Sequence, residues 1–180
     1  MSGPLEGYKV LELTSTVSGP FASMMLADQG ADVIKVEPPG IGDLARFMGT
    51  IKSGISAMFT VLNRNKKCIC LDFKNPDDFE VLKKLIKETD VLVENYRPGI
   101  VKKLGIDYKS AVKINPEIIY CSISGYGQSG PYKGRKVYDP LIQATTGTAA
   151  AQSPSNPKFF RTIVFDKVTA LTAAQSITSA

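Results

Sequence analysis

Asp166 is the residue of this sequence best placed to do chemistry, because of the segments on either side of it. A run of aromatic and β-branched residues, 159–165, leads to it, and a segment rich in Ala, Thr and Ser follows as far as residue 180. This pattern predicts a helix that begins close to Asp166, where free backbone N–H groups and the helix dipole stabilise a carboxylate. We therefore expect Asp166 to be ionised, as a nucleophile must be. From these residues alone, however, an ordinary N-cap is the commoner role, since aspartate favours that position.

Histidine and cysteine limit the other chemistry that is open to this chain. The 180 residues include no histidine, which excludes Ser-His-Asp and Cys-His sites and removes the commonest nitrogen ligand of zinc, so we expect no metal. The three cysteines, Cys68, Cys70 and Cys121, lie in predicted strands. Their odd number argues against a disulfide framework. Cys68 and Cys70 should share one face of a strand, where we expect buried thiols.

A glycine-rich stretch raises the question of nucleotide binding. Residues 125–130 match the dinucleotide pattern G-x-G-x-x-G after a predicted strand. That pattern also requires a helix to begin there and meet a pyrophosphate, and the following residues 131–134, PYKG, do not favour one. The sequence therefore favours a flexible loop over a dinucleotide site. In such a loop one or two of Lys133, Arg135 and Lys136 could contact phosphates, although loop lysines are usually only solvated.

Strands and helices alternate along the first 123 residues, and they must position these side chains. Strands are predicted at residues 8–13, 32–37, 67–73, 90–95 and 118–123, and helices at 21–30, 56–63, 75–87, 101–104 and 108–114. This alternation predicts an α/β fold, a doubly wound, Rossmann-like and mainly parallel sheet with helices on both faces. Ligands of such sheets bind beyond the carboxyl ends of the strands. Those ends are residues 14–16, 37–43, 74, 95–97 and 124–126.

Composition fits a soluble globular domain. The chain is 43% hydrophobic and 22% charged, with a net charge of +5. The basic residues are dispersed, which favours a small anionic ligand over nucleic acid, although a solvated basic surface is the commoner explanation of such an excess. No apolar run approaches the length of a membrane span, and no charged and apolar leader is present at the start. We therefore expect a cytoplasmic protein without nucleic-acid or membrane partners.

Several ordered motifs carry a resemblance to a known family. They are PLEGYKVLE at 4–12, GP at 19–20, GADVIKVE at 30–37, GDLAR at 42–46, NRNKK at 63–67, VENYRPG at 93–99, GYG at 125–127, YD at 138–139 and QA at 143–144. In this order and spacing they resemble the class III coenzyme A transferases of the CaiB/BaiF type, which include formyl-CoA transferase and carnitine CoA-transferase. The resemblance covers residues 4–180.

The resemblance implies a role for particular residues. It makes Asp166 the nucleophilic aspartate and Asp139 an acidic residue beside the reacting centre. Its implied contacts with coenzyme A are Thr16, Leu71, Lys74, Asn95, Tyr96, Lys103 and Lys136. The lysines suit the polyanionic 3′-phospho-ADP part of the coenzyme. The implied reaction moves coenzyme A from an acyl-CoA thioester to an acceptor carboxylic acid through an aspartyl anhydride and an aspartyl-CoA thioester.

Three positions depart from formyl-CoA transferase. Val17 stands in place of a glutamine near the thioester, Pro38 in place of a phosphate-binding arginine, and Lys103 in place of another arginine. A lysine keeps the charge but loses the bidentate fork of an arginine. Val17 in particular argues against taking formyl or oxalate specificity from the resemblance.

Two other functions remain open from the sequence. An α-methylacyl-CoA racemase of the same family would need an acid and base pair, and such relatives have a histidine where this chain has Tyr138. A non-catalytic CoA-binding module is the second, since family members are longer than this chain. We expect residues 1–180 to be the CoA-binding N-terminal domain of a longer, homodimeric transferase, inactive by themselves because a second domain is missing. Residues 170–180 are small, and we expect them to pack against that missing part.

Overall fold

The computed structural model describes residues 3–180 of the chain. Its first half contains β1 (Lys9–Leu13), α1 (Ser18–Asp28), β2 (Asp32–Glu37), a 3₁₀ turn (Leu44–Phe47), the short strands β3 (Ile51–Lys52) and β4 (Ile55–Ser56), α2 (Ala57–Leu62), β5 (Lys66–Cys70) and α3 (Pro76–Glu88). There follow β6 (Val91–Glu94), α4 (Ile100–Leu104), α5 (Tyr108–Ile114), β7 (Ile119–Ser122), α6 (Asp139–Thr145), α7 (Thr148–Gln152) and α8 (Val164–Thr178).

Five strands form one parallel sheet, so the predicted fold class is confirmed. Their order is β5-β2-β1-β6-β7, and β3 and β4 form a separate antiparallel pair. The chain builds outwards from β1 to β2 and β5, then returns to the other side of β1 with β6 and β7. The order therefore reverses between β1 and β6, and a crevice opens at the carboxyl ends of strands at such a point.

Helices cover both faces of the sheet. On one face α1 and α8 pack over Val10, Val33 and Val93, and on the other α3 and α5 pack over Leu11, Leu13 and Leu92. The central strands are buried on both sides, which explains their nearly continuous apolar sequences. The sheet therefore separates two apolar clusters, one on each of its faces.

The expectation for the small residues near the end of the chain is wrong for the four that pack inside it, and for the exposed ones it stays a prediction. Ala170, Ala173, Ala174 and Ile177 of α8 are buried against α1 and the sheet within this chain. Small side chains let the two helices approach closely, so α8 completes one face of the core. Its start is thereby fixed relative to the sheet.

Two other expectations are settled by the fold. Cys68 and Cys70 are exposed, because β5 lies at the edge of the sheet, so the prediction of buried thiols is wrong for both; Cys121 is partly buried. The glycine-rich stretch continues as turns and irregular backbone as far as residue 138, with no helix following the motif. This agrees with the argument against a dinucleotide site. Among residues 3–180 no helix has both the length and the apolar character needed to cross a membrane.

Candidate functional site

A cavity of about 720 Å³ lies at the carboxyl edge of the sheet. The loops after β1, β2, β6 and β7 line it, together with the starts of α6 and α8. It therefore occupies the crevice that the strand order predicts. Asp166 and Asp139 both line it.

The loop after β1 is held by side chains from two other loops. Asn95, which follows β6, accepts a hydrogen bond from the Ser15 N–H at 3.0 Å and donates one to the Ser15 carbonyl at 2.8 Å. Asp43 Oδ1 accepts from the Ser15 hydroxyl at 3.0 Å and the Thr16 N–H at 2.9 Å. Thr16 has a φ of 75°, which is unfavourable for a β-branched residue. These contacts stabilise a conformation that the sequence alone does not favour.

Buried ion pairs hold Asp43 in turn. Lys35 Nζ lies 2.8 Å from Asp43 Oδ2 and 2.8 Å from Glu12 Oε1, and it donates to the Thr14 carbonyl at 2.8 Å. Lys66 Nζ lies 2.7 Å from Glu12 Oε2. Burial by itself lowers the pKa of Lys35, but the charges of Glu12 and Asp43 raise it above its ordinary value. Lys66 has one carboxylate partner, and burial leaves its pKa lowered.

Asp166 is the third residue of α8, and Asp139 provides the cap of this helix. Asp139 Oδ2 accepts hydrogen bonds from the N–H groups of Phe165 at 2.6 Å and of Asp166 at 3.1 Å. The residue in the N-cap position is Ile163, and it makes no side-chain cap hydrogen bond. The interpretation of Asp166 as an N-cap is therefore wrong, and two of the N–H groups expected to be free for its own carboxylate are occupied by Asp139.

The electrostatics of Asp166 also differ from the expectation. Burial raises its pKa, the neighbouring charge of Asp139 raises it further, and the nearby Ser18 hydroxyl acts in the opposite direction. The net pKa lies above that of an ordinary aspartate. The helix start therefore does not lower the pKa of Asp166 as expected, because burial and the charge of a second carboxylate outweigh its effect. A raised pKa makes a carboxylate a more basic group.

The residues expected to contact coenzyme A are only partly brought together. Thr16, Asn95 and Tyr96 line the cavity, whereas Leu71, Lys74, Lys103 and Lys136 do not. Leu71 is buried beside β2, and the three lysines are exposed. The role of all seven as contacts stays a prediction.

Of the three basic residues named in the glycine-rich loop, Lys133 and Arg135 line the cavity and Lys136 does not. Sequence reasoning did not single out three other residues that line it, Ser15, Ser18 and Arg97. Two of them, Ser15 and Arg97, lie in strand-end segments that the alternation had already placed at this edge, so position along the chain was a usable signal. No sequence signal pointed to Ser18, because its proximity to Asp166 depends on how α1 and α8 pack together.

Comparison with known proteins places this site in context. Residues 5–180 match the family described as CoA-transferase family III. Succinyl-CoA:glutarate CoA-transferase of Homo sapiens is 46% identical over 154 residues, 85% of this chain and 35% of that protein. Formyl-CoA:oxalate CoA-transferase of Bradyrhizobium sp. is 47% identical over 151 residues, 83% of this chain and 35% of that protein. Acetyl-CoA:oxalate CoA-transferase of Acetobacter aceti is 41% identical over 156 residues, 86% of this chain and 40% of that protein.

The fold agrees with a solved structure of the same kind. A CAIB/BAIF family protein from Brucella suis has a TM-score of 0.93 and 39% identity, and the match covers 99% of this chain and 49% of that one. The chain thus spans between a third and two fifths of the length of these curated relatives and about half of the solved chain. Since the family match extends through almost the whole sequence, the chain belongs to CoA-transferase family III.

Proposed function

We propose that the intact protein transfers coenzyme A from an acyl-CoA to an acceptor carboxylic acid, with Asp166 as the nucleophile. The observation that carries this proposal is the position of Asp166, half-buried at the start of α8 and lining the cavity at the carboxyl edge of the sheet. Relatives of this chain are named as CoA-transferases of succinyl-CoA, formyl-CoA and acetyl-CoA. Residues 1–180 would form the CoA-binding domain of a longer, homodimeric enzyme.

In the proposed first step an Asp166 carboxylate oxygen attacks the thioester carbonyl carbon. The C–S bond breaks, coenzyme A leaves as a thiolate, and the donor acyl group remains as a mixed anhydride on Asp166. The thiolate then attacks the aspartyl carbonyl, which releases the donor acid and forms an aspartyl-CoA thioester. The acceptor carboxylate then attacks the aspartyl-CoA carbonyl, which expels the thiolate and forms a mixed anhydride of Asp166 and the acceptor acid. The thiolate attacks the acceptor carbonyl of this anhydride, which releases the new acyl-CoA and restores the Asp166 carboxylate. Each enzyme-bound intermediate is an anhydride or a thioester and is therefore itself activated, so covalent catalysis divides one difficult transfer into easier ones.

Cationic residues of the cavity suit the phosphates of coenzyme A. Arg97, Lys133 and Arg135 line it, and the guanidinium of Arg135 lies 4.0 Å from the centre of the Tyr132 ring. Arginine can bind a phosphate through two parallel hydrogen bonds. These three residues would add to the contacts expected at Thr16, Asn95 and Tyr96, and Lys74, Lys103 and Lys136 would be reached only by the outer part of the coenzyme.

Transfer can be tested with defined substrates. The intact protein is incubated with succinyl-CoA and a panel of carboxylic acids, including glutarate and oxalate, and new acyl-CoA species are identified by mass spectrometry. We expect a new thioester with at least one acid, together with free succinate. Hydrolysis or binding without any new thioester would contradict the proposed function.

The pH dependence of the reaction should report the raised pKa of Asp166. Because the nucleophile must be ionised, kcat/KM is expected to fall as the pH drops through a midpoint above the ordinary aspartate range. Asp139→Asn removes a neighbouring charge and should move the midpoint to lower pH, whereas Ser18→Ala removes a hydroxyl that lowers the pKa of Asp166 and should move it to higher pH. Rate profiles of the two variants measure these shifts. Midpoints that move in the same direction would contradict the assignment.

Gly125 provides a second test, through the position of Asp139. A Cβ added at Gly125 would lie 1.9 Å from Cγ1 of Val137, so a side chain there must displace the residues that lead into α6. We expect Gly125→Ala to lower kcat about tenfold or more, because small displacements of catalytic groups are costly. Gly134→Ala is the matched control in the same loop, since nothing lies within 4 Å of its added Cβ. Equal kcat values for the two variants would contradict this prediction.

A further inference from the structure

Gln143 is a buried polar side chain that no step of the proposed reaction uses. It is 1% exposed, lies on α6 one turn after Asp139, and is not one of the described residues that line the cavity. Burial of an amide is costly unless its donors and its acceptor find partners. Its hydrogen bonds therefore indicate what it holds in place.

The partners of Gln143 are the two features that fix the start of α8. Its Nε2 donates to Asp139 Oδ1 at 2.5 Å and makes a longer hydrogen bond of 3.4 Å to the Thr162 carbonyl. Its Oε1 accepts from the Phe160 N–H at 2.7 Å. One amide thus orients the carboxylate that caps α8 and binds the irregular segment that leads into this helix.

We propose that Gln143 is a positioning residue that sets the location of the Asp166 carboxylate, an inference that rests on the proposed role of Asp166 as nucleophile. If the Gln143 amide is removed, Asp139 Oδ1 and the Phe160 N–H lose their hydrogen-bond partner. The cap and the segment before α8 are then free to shift. A displacement of about 1 Å at the reacting group can cost roughly a hundredfold in rate. The residues expected to bind coenzyme A at the ends of β1 and β6 make no hydrogen bond with Gln143, so affinity should be retained.

Two variants of Gln143 separate positioning from binding. Gln143→Met keeps the length of the side chain and removes its polar atoms. Gln143→Glu has almost the same shape and keeps an acceptor for the Phe160 N–H, but its ionised form loses the donor to Asp139. In the intact protein we expect each to slow the single-turnover formation of the Asp166 adduct from succinyl-CoA about tenfold or more. The Kd for coenzyme A, measured by calorimetry, should stay within about twofold of the unsubstituted value, since the cavity wall is unchanged.

Gln152→Met is the matched control. The Gln152 amide also donates to a carbonyl of the segment before α8, that of Lys158 at 2.7 Å, but it is exposed and has no contact with Asp139. We expect it to form the adduct at the unsubstituted rate. Should Gln143→Met fail to fold, the nearly isosteric Gln143→Glu decides the matter.

The outcomes distinguish this inference from the proposed function. Adduct formation at the unsubstituted rate in the folded Gln143 variants would overturn the positioning role, and so would a rate loss matched by an equal loss of affinity for coenzyme A. If the unsubstituted protein forms no Asp166 adduct, the proposed function itself fails, and the inference fails with it. A normal adduct in the unsubstituted protein and an unaltered rate in both variants would refute the inference alone.

Discussion

Asp166→Ala in the intact protein is expected to lower CoA transfer by at least about a thousandfold, because removal of a covalent nucleophile leaves no route to the intermediate. Binding of coenzyme A should survive, since Thr16, Asn95 and Tyr96 lie on other segments of the cavity wall. Turnover is measured with succinyl-CoA and an accepted acid, and binding by calorimetry.

Two controls show whether the loss belongs to Asp166 itself. Asp77→Ala changes an exposed aspartate that is likewise in the first turn of a helix, α3, and should leave turnover unchanged. Asp166→Asn keeps the shape of the side chain but not its nucleophilic oxygen, and it should be as inactive as Asp166→Ala. An active asparagine variant would contradict the nucleophilic role.

Lys35→Met is expected to lower the free energy of unfolding by about 3–5 kcal/mol, because it leaves the buried Asp43 without its cation and Glu12 with Lys66 alone. Lys35 is 0% exposed and is the link between Glu12 and Asp43. Asp43 would then lose the partner that aligns it with Ser15 and Thr16, so the loop after β1 should also loosen. Urea unfolding measures the change in stability.

An exposed ion pair is the control for this effect. Lys83 and Glu80 form an ion pair on the surface of α3, with 40% and 62% of their side-chain areas exposed. Lys83→Met should cost less than about 1 kcal/mol, since water screens such a pair. Similar losses for Lys35→Met and Lys83→Met would show that the buried network does not stabilise the fold as described.

Much of the fold could be predicted from local patterns. The five strands and most helices lie within a few residues of their predicted bounds, because each strand is a short apolar run between turn residues and α3 has both an Asn75 cap and an apolar stripe. The parallel sheet followed from the alternation of these elements. The exposure of Cys68 and Cys70 could not be predicted in this way, because it depends on which strand becomes the edge.

The candidate site was predictable in part, and its electrostatics were not. Asp166 and Asp139 were named from motifs, and both line the cavity. The raised pKa of Asp166 depends first on its burial and then on the placement of Asp139 over the start of α8, a contact between residues 27 apart in the sequence. Likewise, Lys35 can form a buried ion pair with Asp43 only because the loop after β2 folds back towards the end of β1. Local pattern carries no information on such contacts.

The most direct test of the proposed function is to trap the covalent intermediate. The intact protein is incubated with succinyl-CoA and then treated with hydroxylamine, and its peptides are mapped by mass spectrometry. We expect a hydroxamate on the peptide that contains Asp166, formed only when the acyl-CoA is present and absent from Asp166→Asn. Continued transfer activity with no modification at Asp166, or with modification at another carboxylate, would contradict the proposed function.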